Sequence, residues 1–363
     1  MDKKNVRCAF ISSYMGPYYG NYVASVIACE KKMQEKGWYS VYVFPKDVEH
    51  YEWVEKLREV TDRLYFLEYR PFSISNILAL RKIFKKEKIN LIHSRMCGWD
   101  FTARFAAPFT PIVWHMEMGV NLSVRSKYIK NWIKFKILAL GKVYHTAASV
   151  AATETINSLK PAHRCVAIPN ALDLSRLRPL SKPYDSEKAV KNLLVFAYNP
   201  NVKGLDVALD ACEKLNREKT RFQLLVSAQK NTYTYLEERY PELPGWIRIL
   251  LPTDDIASVY EQCDIMMIPS RSEGFSYALT EALYTGLPAV CSEIPGNRWA
   301  KELKGTYYFE SENPAALCEA IEDCAEKGIT EEERFFNRSV IEERYSMETW
   351  AEDVIRFMEG IRL

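Results

Sequence analysis

The stretch SEGFSYALTE (272–281) sets two carboxylates, Glu273 and Glu281, eight positions apart, and Gly274, Phe275 and Ser276 follow directly on the first. An ionised carboxylate only accepts hydrogen bonds, so such a pair suits a partner rich in hydroxyl groups. The preceding DIMMIPS (264–270) predicts a strand and the residues after Gly274 a helix, which puts RSEG in a loop at the carboxyl end of a strand. In a doubly wound sheet, ligands bind at such ends. The backbone N–H groups of Phe275, Ser276 and Tyr277 would point out of the helix start, where the macrodipole favours an anion such as phosphate. Glu273 would lie beside that anion, and Glu281, about one and a half turns into the helix, on the same face. Sugar and ribose hydroxyls next to a phosphate describe a nucleotide sugar. On spacing alone, the pattern also fits a solvated helix face.

A second loop supplies context. In FAYNPNVKGLDVALDACEKL (196–215), Lys203 precedes Gly204 between a predicted strand and a predicted helix. That puts a flexible cation near the same sheet edge, able to offset diphosphate charge as a leaving group departs. Taken alone, a Lys–Gly pair in a loop is ordinarily surface decoration.

Positioning two such loops requires a sheet. Short β-branched and aromatic runs recur between amphipathic segments at 6–12, 40–44, 64–68, 90–94, 111–116 and 165–170, and again at 192–197, 222–227, 247–251, 264–270 and 287–292. Strands alternating with helices at this spacing predict βαβ units and parallel sheets. The charged, proline-bearing segment 172–192 separates the two series and reads as a linker. The expected fold class is therefore α/β, with two Rossmann-like, doubly wound domains facing a central cleft. The expected domains are 1–175 and 176–345. Helical spacing from Trp350 onward makes 346–363 a terminal helix that can pack on either domain, with a crossing back to the first as one outcome.

Composition bounds the rest. At 363 residues, the chain suits two domains of about 150 to 180 residues. With 49 basic against 47 acidic side chains, the net charge of +2 predicts no nucleic-acid partner. The nine cysteines, Cys97 among them, are never spaced CxxC, which disfavours a disulfide framework or a zinc site and predicts reduced thiols. Asp254 and Asp255 precede a predicted helix and read more simply as a capping pair than as metal ligands, so no metal site is expected. No run approaches the roughly 18 apolar residues of a membrane span, and the apolar run near the start reads as a first strand rather than a signal peptide.

The two motifs, in this order, resemble the retaining GT-B glycosyltransferases, glycosyltransferase family 4 (glycosyl transferases group 1) in particular. EGFSYALTEAL…TGLPAVCS is similar to the family's E-x7-E block with its following G-x-P-V, and PNALDLSRL (169–177) to its N-G-x-D segment. The similarity is specific over about 195–300 and weaker in the first half. It implies an acceptor-side first domain and a nucleotide-sugar-binding second domain. It also implies that Glu273 contacts donor-sugar hydroxyls, Glu281 the ribose, the backbone of Gly274, Phe275 and Ser276 the donor phosphate, and Lys203 the diphosphate. In the first half, it implies that SYMGPYYGNYVASV (13–26), with Gly16 and Gly20, is the glycine-rich turn after strand one. His115, in PIVWHMEMG at a strand end expected to face the cleft, resembles the histidine near the donor sugar, which makes the catalytic set His115, Glu273 and Lys203. His93 is a second candidate, toward the acceptor. One position departs: the family usually has arginine five residues before that lysine, and here Tyr198 stands there, with Arg271 and Arg298 the nearest substitutes in sequence.

The implied reaction is transfer of a sugar from a UDP- or GDP-linked donor, without a cofactor or metal and with retention, to a glycan or polyprenyl-linked acceptor in surface polysaccharide assembly. The chain is expected on the cytoplasmic side. Segment 125–145 interleaves Arg125, Lys127, Lys130, Lys134, Lys136 and Lys142 with aromatic and aliphatic residues; with 80–90, it suggests peripheral attachment to the inner face of the membrane. An ordinary surface helix with its aromatics in the core is the alternative. Two other functions stay open: a sugar-nucleotide epimerase of the same fold, and a non-catalytic nucleotide-sugar-binding or scaffold subunit, which Tyr198 favours.

Overall fold

The structure, a computed structural model, describes residues 6–361 except 71, 97, 121, 123 and 140, so Cys97 lies outside the described residues. The chain divides into two compact units, Met1–Asp173 with Tyr345–Leu363, and Leu174–Arg344.

In the first unit, strands β1 (Arg7–Ser12), β2 (Tyr39–Pro45), β3 (Leu64–Leu67), β4 (Leu91–Arg95), β5 (Ile112–Met116), β6 (Val143–Ala147) and β7 (Val166–Ala167) form one sheet in the order β3-β2-β1-β4-β5-β6-β7. Every pairing is parallel. Helices α1 (Gly20–Glu35), α2 (Glu52–Arg58), α3 (Ile74–Lys86), α4 (Asp100–Ala106), α5 (Arg125–Trp132) and α6 (Val150–Ser158) connect the strands. Because parallel strands are covered on both faces, they read as continuous apolar runs, and β4 and β5 are buried at every residue. One face packs Phe10, Tyr42 and Phe44 against α1 and α2; the other packs Ile11, Val43 and Trp114 against α3 and α4.

In the second unit, β8 (Lys191–Phe196), β9 (Phe222–Ser227), β10 (Ile247–Leu250), β11 (Ile265–Ile268), β12 (Ala289–Ser292) and β13 (Thr306–Phe309) follow the order β10-β9-β8-β11-β12-β13, again all parallel. Its helices are α7 (Leu205–Leu215), α8 (Lys230–Arg239), α9 (Ile256–Glu261), α10 (Tyr277–Thr285), α11 (Pro314–Lys327) and α12 (Glu331–Tyr345). The order reverses between β8 and β11, so this is the sheet's switch point, where loops diverge and leave room for a ligand.

The final helix, α13 (Met347–Glu359), is capped by Ser346, whose hydroxyl accepts from the Thr349 N–H. It buries Trp350, Val354 and Ile355 in the first unit's core, and Lys32 of α1 and Lys36 just beyond its end reach Glu352 and Glu359 at 2.8 and 2.7 Å.

Two local expectations need correction. Strands β6 and β13 are absent from the sequence reading: VYHTA follows a basic segment with helical spacing, and TYYF spans only four residues. Segment 125–145 is not one helix, since α5 ends at Trp132, a π-helical turn covers Ile133–Leu138, and the chain then enters β6. Segment 172–192, read as the linker, contains the division between the units and is held on the second one, where Leu180 N–H donates to Thr285 O (2.8 Å) and the Tyr184 hydroxyl to Ala325 O (3.1 Å). No helix among the described residues is long and apolar enough to cross a membrane.

Candidate active site

The loops leaving β8 and β11 flank the second unit's switch point and are stitched together. Gly204 has φ +63°, and a Cβ there would stand 2.0 Å from Pro269 O, so only glycine lets the two loops approach this closely. Arg271 completes the seam: its N–H donates to Val202 O (2.9 Å), Nη1 to Asn201 O (2.6 Å), and its guanidinium grips Asp206 of α7 through both carboxylate oxygens (2.9 and 2.7 Å). That clamp holds the Asp206 carboxyl below its usual range.

On this frame Lys203 and Glu273 meet. Lys203 Nζ donates to Glu273 Oε1 at 2.6 Å, and Ser270 Oγ donates to the same oxygen at 2.7 Å. Both side chains are nearly buried, 14% and 9% exposed. Burial alone would lower the Lys203 pKa, but the Glu273 carboxylate and the Tyr198 phenol outweigh it and raise the pKa, so the cation persists. Tyr198 is half exposed, with its ring centroid 4.9 Å from Lys203 Nζ. Gly296 passes so close that a Cβ would lie 2.2 Å from Glu273 O, which fixes the backbone behind the carboxylate.

The helix after this loop begins two residues later than the sequence suggested. Ser276 is the N-cap, its hydroxyl accepting from the Leu279 N–H at 3.4 Å, and α10 starts at Tyr277. Gly274, Phe275 and Ser276 are buried, and Phe275 stacks on Trp299 with centroids 4.8 Å apart. Glu281, buried on α10, accepts from the Tyr260 hydroxyl of α9 at 2.7 Å. Burial, with the Glu281 carboxylate beside it, pushes the Tyr260 phenol far up, so it stays a donor. Of the two arginines offered in place of the residue at Tyr198, Arg271 is committed to Asp206, Glu312 and a carbonyl, and that expectation is corrected; Arg298 is exposed in the turn Pro295–Glu302.

The first unit keeps its candidates at the carboxyl ends of its own strands. Gly16 lies in the loop after β1, where its carbonyl accepts from Trp53 Nε1 (3.1 Å), and Gly20, at φ +48°, opens α1. His115 is fully buried on β5, its Nδ1 3.0 Å from Thr146 Oγ1 and its Nε2 3.8 Å from Glu117. Burial pulls its pKa down to about 4 despite Glu117, so the ring is neutral. His115 stands at the end of β5, where the sequence reading put it, and its buried ring meets the Trp350 ring edge-on at 6.3 Å between centroids. His93 is likewise buried and held neutral.

Sequence reasoning missed a buried network beside His115. Arg95 Nε donates to Glu117 Oε1 (2.9 Å) and Nη1 to Ser25 Oγ (2.8 Å), Asn170 Nδ2 donates to Glu117 Oε2 (2.8 Å), and the guanidinium sits over the Tyr22 and Trp350 rings. It also missed Ser270, Tyr260 and Asp206. A hydroxyl three residues before Glu273 was a local signal for Ser270; Tyr260 and Asn170 meet their partners only through the fold.

Comparison with known proteins bears on this geometry. Residues 191–327 match the family model described as Glycosyl transferases group 1. An Escherichia coli UDP-Gal:alpha-D-GlcNAc-diphosphoundecaprenol alpha-1,3-galactosyltransferase is 23% identical over 258 residues, 62% of this chain and 63% of that protein. The chain spans less than two thirds of the length of such sequence relatives. Among solved structures, a glycosyltransferase from Rickettsia africae superposes with a TM-score of 0.77 at 16% identity over 98% of both chains. Anabaena HepE in complex with UDP-glucose gives 0.74 at 14% identity, covering 97% of this chain and 99% of that one.

Proposed function

We propose that the chain, whose residues 191–327 match the glycosyl transferases group 1 model and whose fold is that of GT-B glycosyltransferases, is a retaining glycosyltransferase of family 4 that draws on a nucleotide-diphosphate sugar. The observation that carries this reading is the meeting of Lys203 and Glu273 at the β8–β11 switch point, with Glu281 on the helix that follows. In this reading Glu273 and Ser270 address donor-sugar hydroxyls, and Glu281, oriented by Tyr260, addresses the ribose. Lys203 and the start of α10 take the diphosphate, with Gly274, Phe275 and Ser276 shaping the loop around it.

The bond from the anomeric carbon to the diphosphate oxygen breaks through an oxocarbenium-like state, with the electron pair leaving on the phosphate. The acceptor hydroxyl attacks on the same side, and its proton passes to the departing phosphate oxygen. Lys203 stabilises that growing charge, a role requiring no metal. In the first unit, neutral His115 and the loop bearing Gly16 and Gly20 are the residues proposed for donor sugar and acceptor. We propose a UDP- or GDP-linked hexose as donor and a glycan or polyprenyl-linked acceptor in surface polysaccharide assembly, reached from the cytoplasmic face with α5 against the membrane. The E. coli relative, whose name states a UDP-linked galactose and an undecaprenol-linked acceptor, supports that class.

The test is a thermal-shift panel of UDP, GDP and ADP and their common sugars on the wild type and on Glu281→Ala. Bound ligand raises Tm by mass action, so a shift with one nucleotide that Glu281→Ala removes is the expected result. No shift for any nucleotide with a folded protein would sink the reading. Tyr198, beside Lys203, favours one second reading, a non-catalytic nucleotide-sugar-binding subunit; a shift without turnover on any acceptor would select it. Addition of EDTA is expected to leave turnover unchanged.

A further inference from the structure

The two loops that flank the second unit's switch point, 197–204 after β8 and 269–276 after β11, carry two cations, Lys203 and Arg271, and one carboxylate, Glu273. Both cations are already matched by carboxylates. Arg271 holds Asp206 through both oxygens and donates to Glu312 at 2.8 Å, while Lys203 donates to Glu273 at 2.6 Å. In the next loop, Arg298 has Glu293 beside it, and Glu293 also takes Lys301 at 2.6 Å. What the two loops offer an anion is the partial positive charge at the start of α10 and the donors of Lys203 that Glu273 leaves open. The Tyr198 ring, 4.9 Å from Nζ, covers a further side of that ammonium with a neutral π face.

A phosphate drawn to Lys203 comes to lie within a few ångströms of the Glu273 carboxylate, itself only 9% exposed. Like charges at that range repel strongly where little water separates them. A sugar changes the balance. The hydrogen bonds from Lys203 and Ser270 both fall on Glu273 Oε1, which leaves Oε2 for another donor. A sugar hydroxyl donating to Oε2 draws the carboxylate's charge toward the ligand and lets carboxylate and phosphate share the ammonium. A bare nucleoside diphosphate has no hydroxyl to place there, since its ribose belongs to Glu281 in the donor-site reading.

We infer that the Lys203–Glu273 pair discriminates between the intact sugar nucleotide and the nucleoside diphosphate left after transfer, with Glu273 repelling the diphosphate wherever no sugar covers it. The spent nucleotide is then driven out by the residue that helped to hold the donor. Ser270 keeps the carboxylate in place by fixing Oε1, and Gly296, packed against Glu273 O, stops the loop from withdrawing. The inference rests on the donor-site reading and gives Glu273 a task beyond accepting hydroxyls.

The experiment is isothermal titration of the full chain with UDP, GDP and ADP and with UDP-glucose, UDP-galactose, GDP-mannose and ADP-glucose. In the wild type, the best-bound sugar nucleotide is expected to bind about tenfold or more tightly than its own bare diphosphate. Glu273→Gln keeps the shape and removes the charge. It is expected to bind that bare diphosphate about tenfold more tightly than the wild type does, and the sugar nucleotide no more tightly, so the preference disappears. A melting curve without ligand shows whether the variant is folded; where it is not, the wild-type ratio alone decides. A bare diphosphate that binds wild type as tightly as its sugar nucleotide overturns the inference. So does a folded Glu273→Gln with no gain for the bare diphosphate, and ligand binding by the wild type then still upholds the donor-site reading. Failure of every ligand to bind the wild type would remove that reading, and the inference with it.

Discussion

Lys203 Nζ and Glu273 Oε1 lie 2.6 Å apart, although 70 positions separate them in the chain, and the contact joins the loops of two neighbouring strands at the point where strand order reverses. A pair this close to fully buried is balanced: each charge is the other's main solvation, and Ser270 supplies one further bond to the carboxylate.

Removing one member should therefore cost more than removing both. Lys203→Ala leaves Glu273 without its cation and is expected to destabilise the second unit by about 1–3 kcal/mol and to lower turnover by about a hundredfold or more. The double variant Lys203→Ala/Glu273→Gln should regain most of the stability and none of the turnover. Equal melting temperatures for the single and double variants would show that the pair contributes little to folding.

Glu281 depends on Tyr260 for its orientation, since the hydroxyl donates at 2.7 Å within the buried interface of α9 and α10. Tyr260→Phe keeps the ring packing against Phe196 and removes only the donor. Nucleotide affinity should fall about fivefold, matching about 1 kcal/mol for one hydrogen bond, with the fold retained. Isothermal titration with the nucleotide identified in the thermal-shift panel checks this; unchanged affinity would mean that Glu281 needs no second residue to hold it.

How much of this was legible follows from which contacts are local. Glu273, Ser276 and Glu281 lie within one loop and the first one and a half turns of one helix, so their spacing announced a helix start at a strand-end loop, and the strand runs announced the parallel sheets that place it. What could not be read was which long side chains meet across loops. Arg271 follows a strand end and was offered as a phosphate cation, yet a bidentate grip on Asp206 spends its guanidinium on structure. His115 was placed at a strand end, as it is, but nothing local revealed that Trp350, from the far end of the chain, closes over it. The length of α5 was misjudged for the same kind of reason: apolar spacing persisted through the π-helical turn into β6, and only sheet pairing with β5 separates helix from strand.

The Arg271 clamp gives a prediction opposite in kind to that for Lys203. Arg271→Lys keeps a charge but loses the planar fork that holds two oxygens of Asp206 and the Asn201 carbonyl together. Stability is expected to drop by about 1–2 kcal/mol, and donor KM to rise more than kcat falls, because the loops bearing Lys203 and Glu273 lose registry. A fall confined to kcat would place Arg271 in contact with the reacting groups instead.

Three histidines buried in the first unit, His93, His115 and His145, set its acid limit. Burial lowers all three, His115 to about 4 and His145 to about 3 against an ordinary 6.5, and His93 well below its usual value. Each pKa is lower in the folded chain than in the unfolded one, so protons bind preferentially to the unfolded state. The stability they represent is complete above about pH 6.5 and is lost as pH falls from there toward 4, at up to about 1.4 kcal/mol per pH unit for each ring. Glu87 and Glu117, held below the ordinary carboxylate value of 4.5, begin to lose their share only below that value, so the upper part of the window belongs to the imidazoles. The melting temperature should therefore decline steadily between pH 6.5 and 5, and His145→Phe, which keeps an aromatic ring among Trp114 and Phe135, should flatten the decline. A melting temperature constant over that interval would show that these rings take up their protons without unfolding, and that the strand ends open more readily than their burial indicates.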